Sequence, residues 1–144
     1  MMLTPHFSIT ELTVSEVAAR RGIDNSPPPA VLRVLRETAQ QMEKVRALLG
    51  YPIVVTSGYR SPALNQAVGG VNSSAHLTGH AVDFVCPKFG TPFDVATAIK
   101  ASKTEFDQLI LEYGWVHISF DPQMRGECLS KKSATSPYRV GLIP

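Results

Sequence analysis

The sequence Ser73-Ser74-Ala75-His76-Leu77-Thr78-Gly79-His80-Ala81-Val82-Asp83-Phe84 is the stretch around which the rest of this chain is organised. It places two imidazoles and a carboxylate around a glycine and then enters an apolar segment that predicts a strand. Neutral imidazole and carboxylate are ordinary ligands of Zn²⁺, and a catalytic zinc needs three protein ligands plus an open position. The stretch supplies at most two or three of them. We therefore expect a further ligand elsewhere in the chain, and His117 is the candidate.

Alternation along two predicted strands brings the candidate ligands to one side of a sheet. Side chains of a strand alternate between its faces, so in strand 81–85 Asp83 and His80 point to opposite sides. Asp83 and His117 are each flanked by apolar neighbours, and burying either one unpaired would cost a few kcal/mol. A shared metal removes both costs. His76 lies on the loop that enters the strand, where Gly79 permits close approach.

A helical His-x-x-x-His zinc pair formed by His76 and His80 is the rival interpretation of the same stretch. Gly79 inside the segment, the β-branched Val82 and the lack of a glutamate beside His76 all disfavour it. We therefore predict that His80 is not a ligand.

The order of elements around this stretch predicts one α+β domain over residues 1–144. Helices come first: Thr13 and Glu16 fit a capping box, and an apolar stripe predicts a long helix from Pro28 or Pro29 to Leu49. Shorter helices are predicted at 62–68 and 91–102, and strands at 52–57, 81–85, 106–111, 115–120 and 139–143. The connections favour a small antiparallel sheet that carries the zinc site and packs against the N-terminal helices.

Composition excludes several classes of protein. Hydrophobic residues at 44% and charged residues at 18% are globular values. The net charge of +2 comes from scattered basic residues, so we expect no nucleic-acid partner. No apolar run is long enough for membrane insertion, and the N-terminal residues lack the features of a signal peptide, which predicts synthesis in the cytoplasm. We expect a monomer, with Cys86 and Cys128 as free thiols and a single disulfide as the alternative.

The motif Ser74-x-His76-x-x-Gly79-x-Ala81-x-Asp83, preceded by Ser57-Gly58-Tyr59-Arg60-Ser61 and followed by Trp115-Val116-His117, resembles the M15 family of zinc peptidases. That family includes D-Ala-D-Ala carboxypeptidases, D,D-dipeptidases and phage L-alanyl-D-glutamate endopeptidases of the cell wall. Two further pairs resemble its compact single-domain branch in phages and prophages: His6-Phe7 with Glu11-Leu12, and Leu64-Asn65 with Gly69-Gly70.

The resemblance implies roles for individual residues. His76, Asp83 and His117 would bind one Zn²⁺, with water in the fourth position at a pKa lowered towards 7. Arg60 matches the family arginine that steadies a substrate carboxylate or the developing oxyanion, a role suited to a permanently charged, forked donor. Ser74 matches the serine beside the first ligand, a hydrogen-bond partner for substrate or ligand, although a mere loop cap would look the same. We expect Trp115 and Tyr59 to wall the substrate pocket.

The general base is where this sequence departs from the family pattern. Several members carry Glu-x-x-His, and the position of that glutamate is Gly114 here. Glu112 lies five residues before His117, at an offset where some relatives place a catalytic histidine. We predict that Glu112 shuttles the proton to the leaving amine, with Asp107 as the second choice.

These features favour a zinc-dependent peptidase that cleaves a bond in the peptidoglycan stem or cross-link, acting as a phage or prophage endolysin on the host cell wall. Cytoplasmic recycling of wall peptides is an alternative setting. Carboxypeptidase and endopeptidase activities, including cleavage of the L-Ala-D-Glu bond, remain open. The second hypothesis is a non-catalytic zinc-bearing binding module, as in the Hedgehog signalling domain, which only the missing glutamate favours. The third is a structural domain of a virion tail or baseplate.

Overall fold

Six apolar segments pair into one sheet in the computed structural model, which describes all 144 residues. Its strand order is β3-β4-β6-β5-β7-β8, and every neighbouring pair is antiparallel except β5 and β7, which are parallel. The strands are β3 (Val54–Ser57), β4 (Ala81–Val85), β5 (Gln108–Leu111), β6 (Val116–Ser119), β7 (Glu127–Ser130) and β8 (Arg139–Val140). A separate two-stranded antiparallel sheet consists of β1 (Met2–Thr4) and β2 (Phe7–Ser8).

The predicted α+β class is confirmed, and the four strands β3, β4, β6 and β5 form a continuous antiparallel portion of the large sheet. The bounds predicted for β4 agree with the structure, and the other predicted strands are shortened at their ends. Strand β7 was not predicted, because its sequence is half polar and it lies in a turn-rich segment. Strands β1 and β2 were missed too, since two or three residues are too short to show alternation.

Four α-helices complete the fold: α1 (Glu16–Arg21), α2 (Pro29–Leu49), α3 (Pro62–Ala67) and α4 (Pro92–Ala101). The predicted capping box at Thr13 is wrong. The N-cap of α1 is Ser15, whose Oγ accepts a hydrogen bond from the Ala18 backbone at 3.1 Å. Thr13 instead ends a 3₁₀ turn, Glu11–Thr13, and its hydroxyl donates to the Ile9 carbonyl at 2.8 Å. Thr91 caps α4 as predicted, with Asp94 completing a capping box.

The hydrophobic core lies between helix α2 and one face of the large sheet. The apolar stripe of α2 is fully buried there against β-branched and aromatic side chains of β4 and β6. Its members are Leu35, Ala39, Met42, Val45 and Leu49, and the strands contribute Val82, Phe84, Val116 and Ile118. The opposite face is therefore left for the polar side chains that alternate with these strand residues.

Gly79 fixes how closely helix α2 approaches the start of strand β4. Its φ of 85° is left-handed, and a Cβ there would lie 3.2 to 3.3 Å from Val31 and Leu35. Thr38 in α2 donates a hydrogen bond to the Gly79 carbonyl at 2.7 Å. The turn that carries His76 is thus docked onto the core helix.

Two further observations concern the class of protein. None of the helices combines the length and the apolar character that a membrane span requires. Cys86 is buried, Cys128 is partly buried, and both are free thiols.

Candidate metal centre

The antiparallel register of β4 and β6 places Asp83 directly opposite His117. His76 joins them from a 3₁₀ turn, Ala75–Thr78, that precedes β4. Asp83 Oδ1 lies 3.3 Å from His76 Nε2 and 2.9 Å from His117 Nδ1. One ligand atom from each of the three residues lies within 4.8 Å of the others. The three predicted ligands therefore meet at one point on the sheet face that the core leaves open.

His80 lies outside this cluster. Its Nδ1 is 2.6 Å from the Thr78 hydroxyl, on the exposed side of the turn. The strand pattern predicts this separation, because residues at an odd spacing, such as His80 and Asp83, point to opposite sides of a strand.

The chemistry of this donor set fits a zinc ion. His76 is 2% exposed, and its Nε2 is buried without a hydrogen-bond partner. Its other ring nitrogen, Nδ1, lies 2.7 Å from the Gly58 carbonyl and donates to it in the neutral imidazole. This arrangement leaves a lone pair on Nε2, which a metal would satisfy. Ligands about 2.0–2.2 Å from a tetrahedral zinc lie about 3.3–3.6 Å apart, and the distance of 3.3 Å between Asp83 Oδ1 and His76 Nε2 falls in that range.

The electrostatics keep His76 and Asp83 in the protonation states that ligands need. Burial lowers the pKa of His76, so its ring is neutral. Burial alone would raise the pKa of Asp83, but its hydrogen bonds and electrostatic interactions with His76 and His117 hold that pKa well below its ordinary value. A neutral imidazole beside an ionised carboxylate is a metal-binding pair.

Arg60 lies beside the cluster, with its Nη2 3.8 Å from Asp83 Oδ2. Its Nη1 donates to the buried amide oxygen of Asn65 at 3.2 Å, and its backbone N–H donates to the His76 carbonyl at 3.0 Å. Burial lowers the pKa of Arg60 and the charges of Asp83 and Glu112 oppose that effect, yet a guanidinium remains charged. A Cβ at Gly70 would clash with the Asn65 amide and come within 2.9 Å of Arg60 Nη1, so a larger residue there would displace these two side chains.

Asn25 holds the loop that carries Arg60 from the other side. Its Nδ2 donates to the carbonyls of Thr13 and Tyr59, both at 3.0 Å, and its Oδ1 accepts from the Ser61 N–H at 2.8 Å. The residues on both sides of Arg60 are therefore tied to one amide side chain. Such a loop presents its cation in a fixed position.

The cluster opens into a cavity of about 770 Å³, whose lining includes Arg60, Ser74, Glu112 and Trp115. Glu112 continues the alternation of β5 beyond Ile110, which pairs with His117. Burial raises the pKa of Glu112, and the charge of His117 acts against that rise. Gly114, with a φ of 141°, shapes the turn between β5 and β6. The Glu112 carboxylate is thus a partly desolvated base within the same cavity.

Asp107 also lines the cavity, but its carboxylate is occupied. Arg125 donates to both of its oxygens from the side chain, at 2.8 and 2.9 Å, and once more from the backbone at 3.0 Å. These hydrogen bonds lower the pKa of Asp107. A carboxylate held in this way is a poor proton acceptor, so the geometry favours Glu112 over the second choice.

Tyr59 does not wall the cavity, contrary to the prediction. It is 4% exposed and belongs to the hydrophobic core, and its backbone N–H donates to the Leu12 carbonyl at 2.7 Å. Ser74 does line the cavity. Its hydroxyl also accepts a hydrogen bond from the His76 N–H at 3.2 Å, so it caps the turn as well, which was the alternative role considered for this serine.

Sequence reasoning missed three residues of the site: Asn25, Lys131 and Tyr138. Asn25 acts through contacts with residues distant in sequence. The family resemblance singled out Asn65, but its contact with Arg60 was not predicted. Lys131 and Tyr138 line the cavity from a C-terminal segment that carried no pattern.

Comparison with protein families gives one match. Residues 5–119 match the family model described as Peptidase M15. The match covers more than half of the chain and contains Arg60, Glu112 and the three candidate ligands, whereas β7 and β8 lie beyond it. Comparison with individual curated proteins gave no match.

Proposed function

The chain belongs to the M15 peptidase family, and from this premise we propose that it is a zinc-dependent peptidase that hydrolyses a peptide bond of peptidoglycan. The observation that carries the proposal is the buried cluster of His76, Asp83 and His117, which opens into a cavity lined by a cation and a carboxylate. M15 peptidases are metallopeptidases, so a peptide substrate follows from the family.

His76 Nε2, a carboxylate oxygen of Asp83 and His117 Nδ1 would hold the zinc ion. When bound, such an ion supplies Lewis-acid polarisation and makes water nucleophilic near neutral pH. The Gly58 carbonyl orients the His76 ring through Nδ1, which fixes the tautomer. Burial of the cluster keeps bulk water away from His76 and Asp83.

Arg60 binds the substrate in this mechanism. Its guanidinium contacts Asn65 and Asp83 through Nη1 and Nη2 and also lines the cavity. It can therefore donate to a substrate carboxylate or to the oxyanion that develops at the scissile carbonyl. Donors held in place before the reaction stabilise such charge without reorganisation.

Glu112 moves the proton. Its carboxylate accepts a proton from the attacking water and returns it to the leaving amine nitrogen, so that one residue serves first as base and then as acid. Its raised pKa, caused by burial, brings it nearer to the working pH than an exposed glutamate would be. Trp115 walls the cavity beside it.

We also propose that the protein acts on the bacterial cell wall as a phage or prophage endolysin and works as a monomer. The support is the resemblance of Leu64-Asn65 and Gly69-Gly70 to the compact branch of the family. Asn65 and Gly70 are the residues that pack around the Arg60 guanidinium.

Mass spectrometry of purified peptidoglycan fragments, before and after incubation with the zinc-loaded protein, tests the proposal. We expect a fragment pair whose summed mass exceeds that of the parent by one water, which also identifies the bond. Protein stripped of zinc by a chelator serves as the control, and readdition of zinc should restore release.

The non-catalytic binding module is the second candidate, and Gly114 in the place of the family glutamate is the observation that favours it. Zinc-loaded protein that binds the fragments and releases no product from any of them would contradict the peptidase and support this module.

A further inference from the structure

The C-terminal segment beyond the family region builds one wall of the cavity. Strand β7 extends the sheet by pairing parallel to β5, with Ser130 opposite Leu111. The Lys131 N–H then donates to the Leu111 carbonyl at 2.9 Å. This bond sets Lys131 next to Glu112 at the end of the two strands, and both residues line the cavity.

Lys131 forms no ion pair, although its positive charge acts on the nearby Glu112 carboxylate. The ion pairs of the molecule involve His6, Arg60, His76, His117 and Arg125, and none involves Lys131. Its Nζ lies 4.5 Å from the centroid of the Tyr138 ring, a cation–π contact that positions the ammonium and leaves donors for another group. Lys131 is partly buried, whereas its neighbour Lys132 is exposed and lies outside the cavity lining.

The sheet order separates Lys131 from Arg60. Arg60 contacts Asp83 on β4, and Lys131 follows β7, with β6 and β5 in between. Three strand spacings correspond to about 14 Å, and an extended peptide covers that distance with about four residues. The two cations therefore lie at opposite ends of the cluster, at a spacing that a short peptide spans.

We infer that Lys131, positioned by Tyr138, binds a carboxylate of the substrate other than the one at Arg60. The inference rests on the proposed function and names its substrate class as peptides with two separated carboxylates. Peptidoglycan stem peptides meet this requirement, because their γ-linked D-glutamate keeps a free α-carboxylate. Stem peptides in which this group is a carboxamide would bind weakly.

Two synthetic stem tetrapeptides test the inference: L-Ala-γ-D-Glu-L-Lys-D-Ala and the same peptide with the glutamate α-carboxylate converted to a carboxamide. Calorimetry with zinc-loaded protein measures Kd for both, and hydrolysis is followed separately. We expect wild type to prefer the carboxylate form by about tenfold, the value of one charge-assisted hydrogen bond. Lys131→Met should abolish the preference by weakening only the carboxylate form, and Lys132→Met should keep it.

The outcomes separate the inference from the proposed function. A preference that survives in Lys131→Met, or equal affinity of wild type for both peptides, overturns the inference whether or not either peptide is cleaved. A preference that depends on Lys131, in a protein that cleaves neither these peptides nor peptidoglycan, supports the inference and overturns the peptidase instead.

Discussion

The two sides of the cavity differ in how they are held. We call the loop Gly58–Ser61 together with His76 the anchored wall, and the turn Glu112–Trp115 together with Lys131 and Tyr138 the open wall. The anchored wall is tied by the side chains of Asn25 and Asn65 and by a backbone bond from Arg60 to His76. In the open wall Tyr113 is 44% and Tyr138 53% exposed.

The difference assigns a different task to each wall. Groups that stabilise charge work best when they are fixed before the reaction, which is the condition of Arg60. Segments with few buried contacts and exposed side chains open at lower free energy and adapt to a ligand. We therefore expect the anchored wall to govern catalysis and the open wall to govern which peptide is accepted, with Glu112 as the one catalytic group on the open wall.

The largest effect is expected at the candidate metal ligands, of which His76 belongs to the anchored wall and His117 lies on β6 between the two walls. His76→Ala and His117→Ala should each reduce bound zinc from about one equivalent to nearly none and reduce hydrolysis to background, since three ligands are the minimum for a catalytic zinc. Metal analysis and the fragment digest measure both effects. His80→Ala is the matched control and should retain its zinc. Full zinc occupancy in both ligand variants would refute the site.

The next effect tests whether the open wall holds the base. Glu112→Gln should lower kcat by roughly 10²–10⁴-fold with zinc content unchanged, because the amide cannot accept the proton. Asp107→Asn distinguishes the two candidate acids, since it should change kcat only a few-fold. The assignment is reversed if Asp107→Asn is the more damaging substitution in the same assay.

A smaller effect is expected from loosening the anchored wall without touching the cavity. Asn25→Ala removes three hydrogen bonds, two of them to the residues on either side of Arg60, and should lower the free energy of unfolding by about 1–3 kcal/mol. It should also lower kcat/KM by about tenfold, because a displaced guanidinium no longer meets the substrate in register. Urea denaturation and steady-state kinetics measure the two effects.

Asn72→Ala is the matched control for that variant, because Asn72 is exposed and makes no side-chain hydrogen bond. It should leave both quantities unchanged. An Asn25→Ala protein that is destabilised but retains full kcat/KM would show that the hydrogen bonds of Asn25 serve the fold alone.

The smallest effect concerns the ion pair of Arg125 and Asp107, which lies in the cavity lining outside the two walls. The hydrogen bonds from Arg125 lower the pKa of Asp107 below its ordinary value of 3.8. The unfolded chain therefore binds the proton more readily, and stability from this pair is present above the unfolded pKa and lost as pH falls through the folded one. Asp107→Asn should cost about 1 kcal/mol at neutral pH, since Arg125 is half exposed.

Urea denaturation of both proteins between neutral and strongly acidic pH checks the sign. The stability difference should be constant near neutrality and shrink only below the ordinary pKa of a carboxyl. A difference that instead grows on acidification would contradict the lowered pKa.

Much of the site was predictable because its elements are local. The apolar run Ala81–Val85 forms β4 at the predicted bounds, and its alternation puts Asp83 on the face away from Val82 and Phe84. The same alternation in β6 orients His117, and Gly79 marks the turn that carries His76. Each of these inferences needs only neighbours within a few residues.

Contacts between distant residues were not predictable from the same patterns. The N-cap of α1 is Ser15 and not the predicted Thr13, and both residue types suit an N-cap position. Tyr59 packs in the hydrophobic core, and its backbone N–H donates to the Leu12 carbonyl. The Asp107 carboxylate accepts hydrogen bonds from Arg125. Strand β7 pairs parallel to β5, and each of its residues lies opposite the residue 19 positions earlier in the chain. The side chains of β7 alone do not predict this pairing.

The sequence by itself indicated which side chains form the candidate metal centre and that Asp83 and His117 share a strand face. The period of a strand, the chemistry of imidazole and carboxylate and the family resemblance together lead to these residues. Only the tertiary structure decided what surrounds them. Asn25 reaches Ser61 across 36 residues, and Lys131 reaches the cavity through a strand pairing. Such contacts depend on how the helices and the sheet pack, so the two walls of the cavity emerge only in the folded chain.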